Sequence, residues 1–526
     1  MMQVQQQETM AIEEWLANLP KSYNIAESLL TTARSQPLGR TAVTDADGTY
    51  SYREVEDLVL RSATALMELG LEPEDRLLLV IGDTILFPAL FLGAIRAGIV
   101  PIPLNPLLAE EDFRYIIEDS RVKAIVTHAQ GVEKIERAAA GCRRVKWIER
   151  DNGLRGPGIG ARILAASPYQ QPIATVADEV AFWLYSSGST GRPKGVRHLH
   201  RNVAVTINCF AQQVLGLTPT DTVFSAAKLF FAYGLGNGLT FPFGVGASVA
   251  YLNERPTPDS VIDLLQASHA SVFCGVPTLF ASLLASPRAR ELADVGLRIC
   301  TSAGEALPPE IGRRFEELTG AAIIDGLGST EMLHIFLANR PGSIRYGSSG
   351  VPVPGYDARL IDDEGLEIAT SGTIGELVVR GYSAADGYWN QRDKSLATFR
   401  GHWTHTGDKY LRDDDGYYYY AGRSDDMMKV SGNWVSPFEV ESALIAHPSV
   451  LEAAVVPWRD VDDLIKPKAY VVVRSDAEPT DTLVSDLQGF VKQQLAPWKY
   501  PRWIEFVEEL PKTATGKIQR FKLRES

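Results

Sequence analysis

Cysteine is scarce: Cys142, Cys209, Cys274 and Cys300 are the only four in 526 residues, and no two form a CxxC pair. Four scattered thiols make neither a disulfide framework nor a zinc site. They read as buried free thiols in a reducing cytosol. A basic tract is also missing. Asp and Glu number 65 against 52 Lys and Arg, a net charge of −13. Without clustered cations phosphate neutralisation fails, which argues against a nucleic-acid binder. The charge alone favours cationic ligands, although the field inside a cleft can oppose the net sign.

No clean membrane-spanning run is present. Residues 85–104 come nearest, but Pro88, Arg96, Pro101 and Pro103 interrupt them, so a buried helix followed by a strand or turn is expected. Residues 234–252, punctuated by Gly and Pro, read as core. The first fifteen residues lack a basic segment followed by an apolar one, so no signal peptide is expected and the expected localisation is cytoplasmic.

What is present is ordinary globular composition, 45% hydrophobic and 22% charged. Short β-branched runs at 76–81, 123–127, 271–275 and 321–324 alternate with helical patterns, the signature of an α/β fold. Segments 375–381 and 416–422 are rich in strand and turn residues and suit a smaller barrel-like or meander subdomain. A boundary falls near Gly422-Arg423-Ser424-Asp425-Asp426. Beyond it, Ser436-Pro437-Phe438-Glu439 opens a helix as cap, first helical residue and capping-box partner. Strands are expected at 451–456, 468–473 and 503–507, and a helix at 483–495. This makes a body over 1–424 and a smaller α+β lid over 425–526.

A strand candidate, Phe182-Trp183-Leu184-Tyr185, runs into Ser186-Ser187-Gly188-Ser189-Thr190-Gly191-Arg192-Pro193-Lys194-Gly195. Glycines allow close backbone approach, hydroxyls donate hydrogen bonds and Lys194 adds charge, which suits a polyphosphate. The spacing is not that of a Walker A loop, because Pro193 stands where the second Gly belongs.

This string resembles the signature of the adenylate-forming superfamily of acyl-CoA synthetases, peptide-synthetase adenylation domains and luciferases. Gly328-Ser329-Thr330-Glu331, Thr406-Gly407-Asp408, residues 422–426 and the lysine loop at 511–517 resemble its further motifs in order. The resemblance implies a large N-terminal domain of two α/β sheet subdomains plus a small β-barrel-like one, and a mobile α+β C-terminal domain. It implies that ATP and Mg²⁺ activate a carboxylate to an acyl-adenylate, which a thiol then attacks. Lys517 is the implied catalytic lysine of adenylation. Thr330 bonds a phosphate oxygen and Glu331 holds Mg²⁺. Asp408 and Arg423 serve the ribose. Gly304, Glu305 and Ala306 face Asp325, Gly326 and Leu327 across the adenine slot. Many relatives have an aromatic residue where Leu327 stands, so weaker stacking is implied. Asp425 is the implied hinge, and Lys429 and Gly432 approach the thioester tunnel after lid rotation.

Lys228-Leu229-Phe230-Phe231-Ala232-Tyr233-Gly234 lacks the acidic residue of α-amino-acid-loading domains and suits a flat apolar acid, with Phe230 expected to pack in the core. It and Met332-Leu333-His334-Ile335-Phe336 resemble benzoate-CoA ligases. The implied acid pocket is Ala232, Tyr233, Ala303, Gly328, His334 and Ile335. Arg197 and Asn433-Trp434 depart from that pattern and leave room for a hydroxy- or aminobenzoate. The chain ends nine residues after Lys517 with no carrier domain following, so CoA is the expected acceptor, and transfer to a separate carrier protein is the alternative. Implied ligands are the aryl acid, ATP and CoA, without nucleic acid or membrane. A homodimer and a lysine acyltransferase acting on Lys517 complete the expected partners.

Overall fold

The computed structural model describes residues 12–186, 192–423, 427–430, 433–460, 464–474, 477–512 and 518–524. The expected Ser187, Gly188, Ser189, Thr190, Gly191, Asp425, Gly432 and Lys517, and the side chain of Lys429, lie outside what is described.

Among the described residues the chain builds a mixed α/β body around four sheets. The largest has nine strands. Its centre is parallel, from Thr41–Asp45 through Ser248–Ala250, Thr222–Ser225, Val272–Gly275 and Ile299–Ser302 to Ile323–Gly328. Antiparallel strands close its two edges. A second, four-stranded sheet is wholly parallel, in the order Val100–Pro103, Arg76–Val80, Ala124–His128, Trp147–Asp151. Helices cover these sheets, and inner strands such as Arg76–Val80 and Val272–Gly275 read as apolar runs because both faces are buried, whereas the edge strand Trp147–Asp151 is partly exposed. Residues 85–104 form the expected helix Leu86–Arg96 and strand Val100–Pro103. Arg96 is fully buried in that helix and is paired with Glu27.

The third sheet places the glycine-rich loop. Val180–Ser186 pairs antiparallel with Lys194–Leu199, and the short strand Gly387–Tyr388 joins the far side of Lys194–Leu199. The β-rich stretch forms a five-stranded antiparallel sheet that includes Gly375–Arg380, Trp403–Arg412 and Tyr418–Arg423.

The C-terminal region has cores of its own. Val440, Leu444, Val455, Val471, Leu487 and Val491 are fully buried in one of them. Strands Val450–Arg459, Ile465–Val473 and Trp503–Phe506 back onto helices Pro437–Ile445 and Asp481–Gln494. Ser436 caps the first helix by accepting from Glu439 N–H at 3.2 Å. The reciprocal half of the expected capping box is absent, because both carboxylate oxygens of Glu439 take Lys499 Nζ at 2.6 Å. A charged partner outcompetes a backbone N–H for a carboxylate. Of the cysteines, three are buried and Cys142 is half-buried, and none is in a disulfide. Among the described residues no helix is long and apolar enough to cross a membrane.

Candidate functional site

The site lies where the parallel strands of the large sheet end, the usual place for a ligand in an open α/β sheet. Loops leaving Thr222–Ser225, Val272–Gly275, Ile299–Ser302 and Ile323–Gly328 line a cavity of about 1160 Å³. All six expected acid-pocket residues, Ala232, Tyr233, Ala303, Gly328, His334 and Ile335, line it. Tyr233 donates to Thr301 O at 2.9 Å. His334 sits among rings, with centroids 5.1 Å from Phe210, 5.6 Å from Tyr233 and 4.5 Å from Phe241. Burial pushes its pKa down to about 3, with the Tyr233 backbone opposing the shift. The imidazole is therefore neutral near pH 7, and the six residues carry no charge.

One expectation is overturned here. Phe230 is half-buried, lines the cavity and meets Phe231 edge-on at 4.6 Å. A turn before helix Ala232–Leu235 faces the ring to the opening instead of the core.

The segment 228–233 is held by a pair that sequence reasoning left without a role. Asp83 accepts from Leu229 N–H at 3.1 Å and lies 3.7 Å from Lys228 Nζ. That ammonium also donates to the carbonyls of Leu252, Asn253 and Glu254. Burial pushes Asp83 up to about 6, against the pull of Lys228. Asp83 belongs to no motif, and only the fold brings it to Lys228.

The residues expected to take the nucleotide come from separate elements. Asp325 is buried on strand Ile323–Gly328. Its Oδ2 accepts from Leu307 N–H at 3.4 Å, while its Oδ1 is buried without a partner among the described residues. Burial pushes this carboxyl well above the ordinary range. A buried acceptor lacking a donor suits a ligand N–H. Ser186 Oγ, at the start of the glycine-rich loop, is likewise buried without a partner among the described residues. Asp408 and Arg423 face each other across paired strands, with Nη1 3.0 Å from Oδ1. Gly407, within strand Trp403–Arg412, has φ +70, and a Cβ there would stand 3.1 Å from Arg423 Nη2, so the position favours glycine.

Thr330 and Glu331 sit in the tight turn between Ile323–Gly328 and Ile335–Ala338. Met332 N–H donates to Ser329 Oγ at 3.2 Å, and Leu333 adopts φ +66. A bulky residue in the left-handed region is strained, and such strain collects at functional turns. Tyr388 donates to Glu331 Oε1 at 2.8 Å, and Lys194 Nζ lies 4.3 Å from the Tyr388 ring centre. Among the described residues no group of three or more His, Cys, Asp or Glu gathers to hold an ion. One carboxylate fits Mg²⁺ that arrives on phosphate oxygens and keeps water ligands.

Asp325, Glu331, Lys194, Asp408 and Arg423 do not line the 1160 Å³ cavity. Thr330 does, and joins the two regions. Both ends of the glycine-rich loop reach helix Glu110–Ser120. Tyr185 donates to Asp119 at 2.6 Å, and Arg192 lies 5.1 Å over the Tyr115 ring. Arg197, a departure from the expected pattern, pairs with Asp386 at 2.8 Å.

Family models agree with this arrangement. One for AMP-binding enzymes matches residues 29–389, and one for the C-terminal domain of AMP-binding enzymes matches 439–517. The chain belongs to the AMP-binding enzyme family. It is 51% identical to a benzoate–CoA ligase of Thauera aromatica over 96% of both chains. It is 49% identical to a 4-hydroxybenzoate–CoA/benzoate–CoA ligase of Rhodopseudomonas palustris over 93% of this chain and 91% of that one. The crystal structure of a benzoate CoA ligase from Burkholderia xenovorans superposes with a TM-score of 0.90 at 48% identity, covering 95% of this chain and 100% of that one.

Proposed function

We propose that this enzyme activates benzoate with ATP to benzoyl-adenylate and pyrophosphate, then transfers the acyl group to CoA with release of AMP. The observation that carries the reading is the uncharged pocket of Ala232, Tyr233, Ala303, Gly328, His334 and Ile335, which adjoins Thr330. A flat, apolar acid fits between Tyr233 and Ile335, and no charged group there would bind an ammonium.

In the first step a carboxylate oxygen attacks the α-phosphorus. Both reactants are anions, so fixed cations must offset the charge that builds up. Lys517 is assigned that task, with Lys194 on the phosphates and Thr330 donating to a phosphate oxygen. Mg²⁺, held by Glu331, supplies charge neutralisation on the phosphates when bound. Asp325 Oδ1 accepts from the adenine amino group, with the backbone of Gly304, Glu305 and Ala306 opposite it and Gly326 and Leu327 beside it. Asp408, fixed by Arg423, receives the ribose hydroxyls.

In the second step the CoA thiol attacks the adenylate carbonyl. The cavity runs on to Arg255 and Lys512, cations suited to a phosphate-bearing thiol. A body over 1–424 and a lid over 425–526 turn about Asp425, which exchanges Lys517 for Lys429 and Gly432. The separate hydrophobic cores beyond residue 427 support that division. We place the enzyme in the cytoplasm as a homodimer. Acylation of Lys517 by a lysine acyltransferase would remove its charge and silence it.

The test is a panel of benzoate, its hydroxy, amino and fluoro derivatives, and medium-chain fatty acids, assayed by ATP–pyrophosphate exchange and by CoA thioester. Benzoate should lead the panel and thioester should require CoA. A preference for fatty acids would sink the pocket reading, and transfer only to a carrier protein would sink the CoA reading. Lys517→Ala should cut exchange about 100-fold or more while sparing conversion of supplied benzoyl-adenylate.

A further inference from the structure

Tyr388 joins the two charged groups assigned to the triphosphate, and we propose that it is a positioning residue for both. Its hydroxyl donates to Glu331 Oε1 at 2.8 Å and lies 3.4 Å from Thr398 Oγ1. Its ring face takes Lys194 Nζ at 4.3 Å. Tyr388 is only 4% exposed, while Glu331 and Lys194 are half-buried, so the tyrosine's side of both contacts is shielded from water.

The backbone around Tyr388 clasps Glu331 and Gly195, the neighbour of Lys194. Ala385 N–H donates to Glu331 O at 2.8 Å, and Trp389 N–H to Gly195 O at 2.8 Å. Tyr388 pairs with Val196 in the strand that begins at Lys194, and its own N–H is held by Ser395 Oγ at 3.0 Å. Gly387 enters with φ +127, a conformation that favours glycine. The strand therefore has one register, and the ring has one place to lie.

The physical reason for such a group is a conflict between neighbours. A carboxylate and an ammonium at the edge of an anion site tend to collapse into a direct ion pair, which spends both charges on each other. Glu331 and Lys194 feel each other's charge, yet they meet through Tyr388. The hydroxyl occupies one carboxylate oxygen and aims the other. The ring holds the ammonium by its quadrupole, which leaves the N–H donors for phosphate. The inference rests on assigning Glu331 to Mg²⁺ and Lys194 to the phosphates.

The experiment compares Tyr388→Phe, Glu331→Gln and the double variant with wild type. Mn²⁺ is the probe, counted by electron paramagnetic resonance on the enzyme with a non-hydrolysable ATP analogue, and steady-state kinetics are measured beside it. Tyr388→Phe keeps the ring and should weaken Mn²⁺ binding about 5- to 20-fold, the loss of one charge-assisted hydrogen bond. The KM for benzoate should stay within about twofold. The double variant should be no weaker than Glu331→Gln. Tyr388→Leu, which also loses the ring, should raise the KM for ATP beyond the value in Tyr388→Phe. Wild-type Mn²⁺ binding in Tyr388→Phe, with weakened binding in Glu331→Gln, overturns the role of Tyr388 alone. Additive losses in the double variant overturn it as well. Unchanged binding in Glu331→Gln overturns the metal assignment of Glu331 and the inference with it.

Discussion

Glu305, on the loop after strand Ile299–Ser302, accepts a hydrogen bond from the backbone N–H of Ile518 at 2.8 Å. The first residue belongs to the body and the second to the C-terminal region, directly after Lys517. The contact ties Ile518 to the loop proposed above to wall the nucleotide slot.

Glu305→Ala should therefore act on one half of the reaction. A hydrogen bond to a carboxylate is worth about 1.5–3 kcal/mol, so benzoate-dependent ATP–pyrophosphate exchange should fall roughly 10- to 100-fold. Thioester formation from supplied benzoyl-adenylate should change far less, because the proposed lid rotation breaks this contact in the second step. An equal loss in both assays would show that the contact does not serve adenylation.

Gly236 sets the position of His334. A Cβ on Gly236 would press into His334 Cδ2, and Phe210 and Phe241 already flank that ring. In Gly236→Ala the imidazole must shift, and the acid pocket shifts with it. Misplacement of about 1 Å can cost about 100-fold. The kcat/KM for benzoate should drop about 10- to 100-fold with the KM for ATP unchanged. Wild-type kcat/KM would mean that the ring does not define the pocket.

Asp83 predicts a dependence of stability on pH. Burial raises it from an ordinary 3.8 to about 6. Its folded-state pKa lies above its unfolded one, so the stability it contributes is full below about pH 4 and is lost as the pH rises through 6. The loss is about 3 kcal/mol. Denaturant titrations of wild type and Asp83→Asn between pH 4 and 7 should diverge across that window, with the variant's curve flatter. Asp45, also lifted by burial, titrates in both proteins and cancels in the difference. A pH-independent difference would refute the linkage.

What the sequence shows of this molecule is what local chemistry decides. Val180–Ser186, Val272–Gly275 and Asp481–Gln494 follow from apolar runs and periodicity, and their ends lie within a few residues of expectation. Asp325 and Thr330 are legible because they sit in short strings with a recognisable order. Glu439 is not, because Lys499 competes for it from far along the chain. Phe230 is misread because nothing in a run of aromatics tells which ring faces an opening. Tyr388 and Asp83 are invisible for the same reason in a stronger form: each gains its meaning from a partner that only folding supplies.

Helix Glu110–Ser120 holds Tyr185 at one end of the glycine-rich loop and Arg192 at the other, through residues one turn apart. A displacement of that helix carries both ends together and leaves their separation unchanged. Ser186 and Lys194, close to those two anchors, are paired in the sheet, so the sheet and the helix set the same separation.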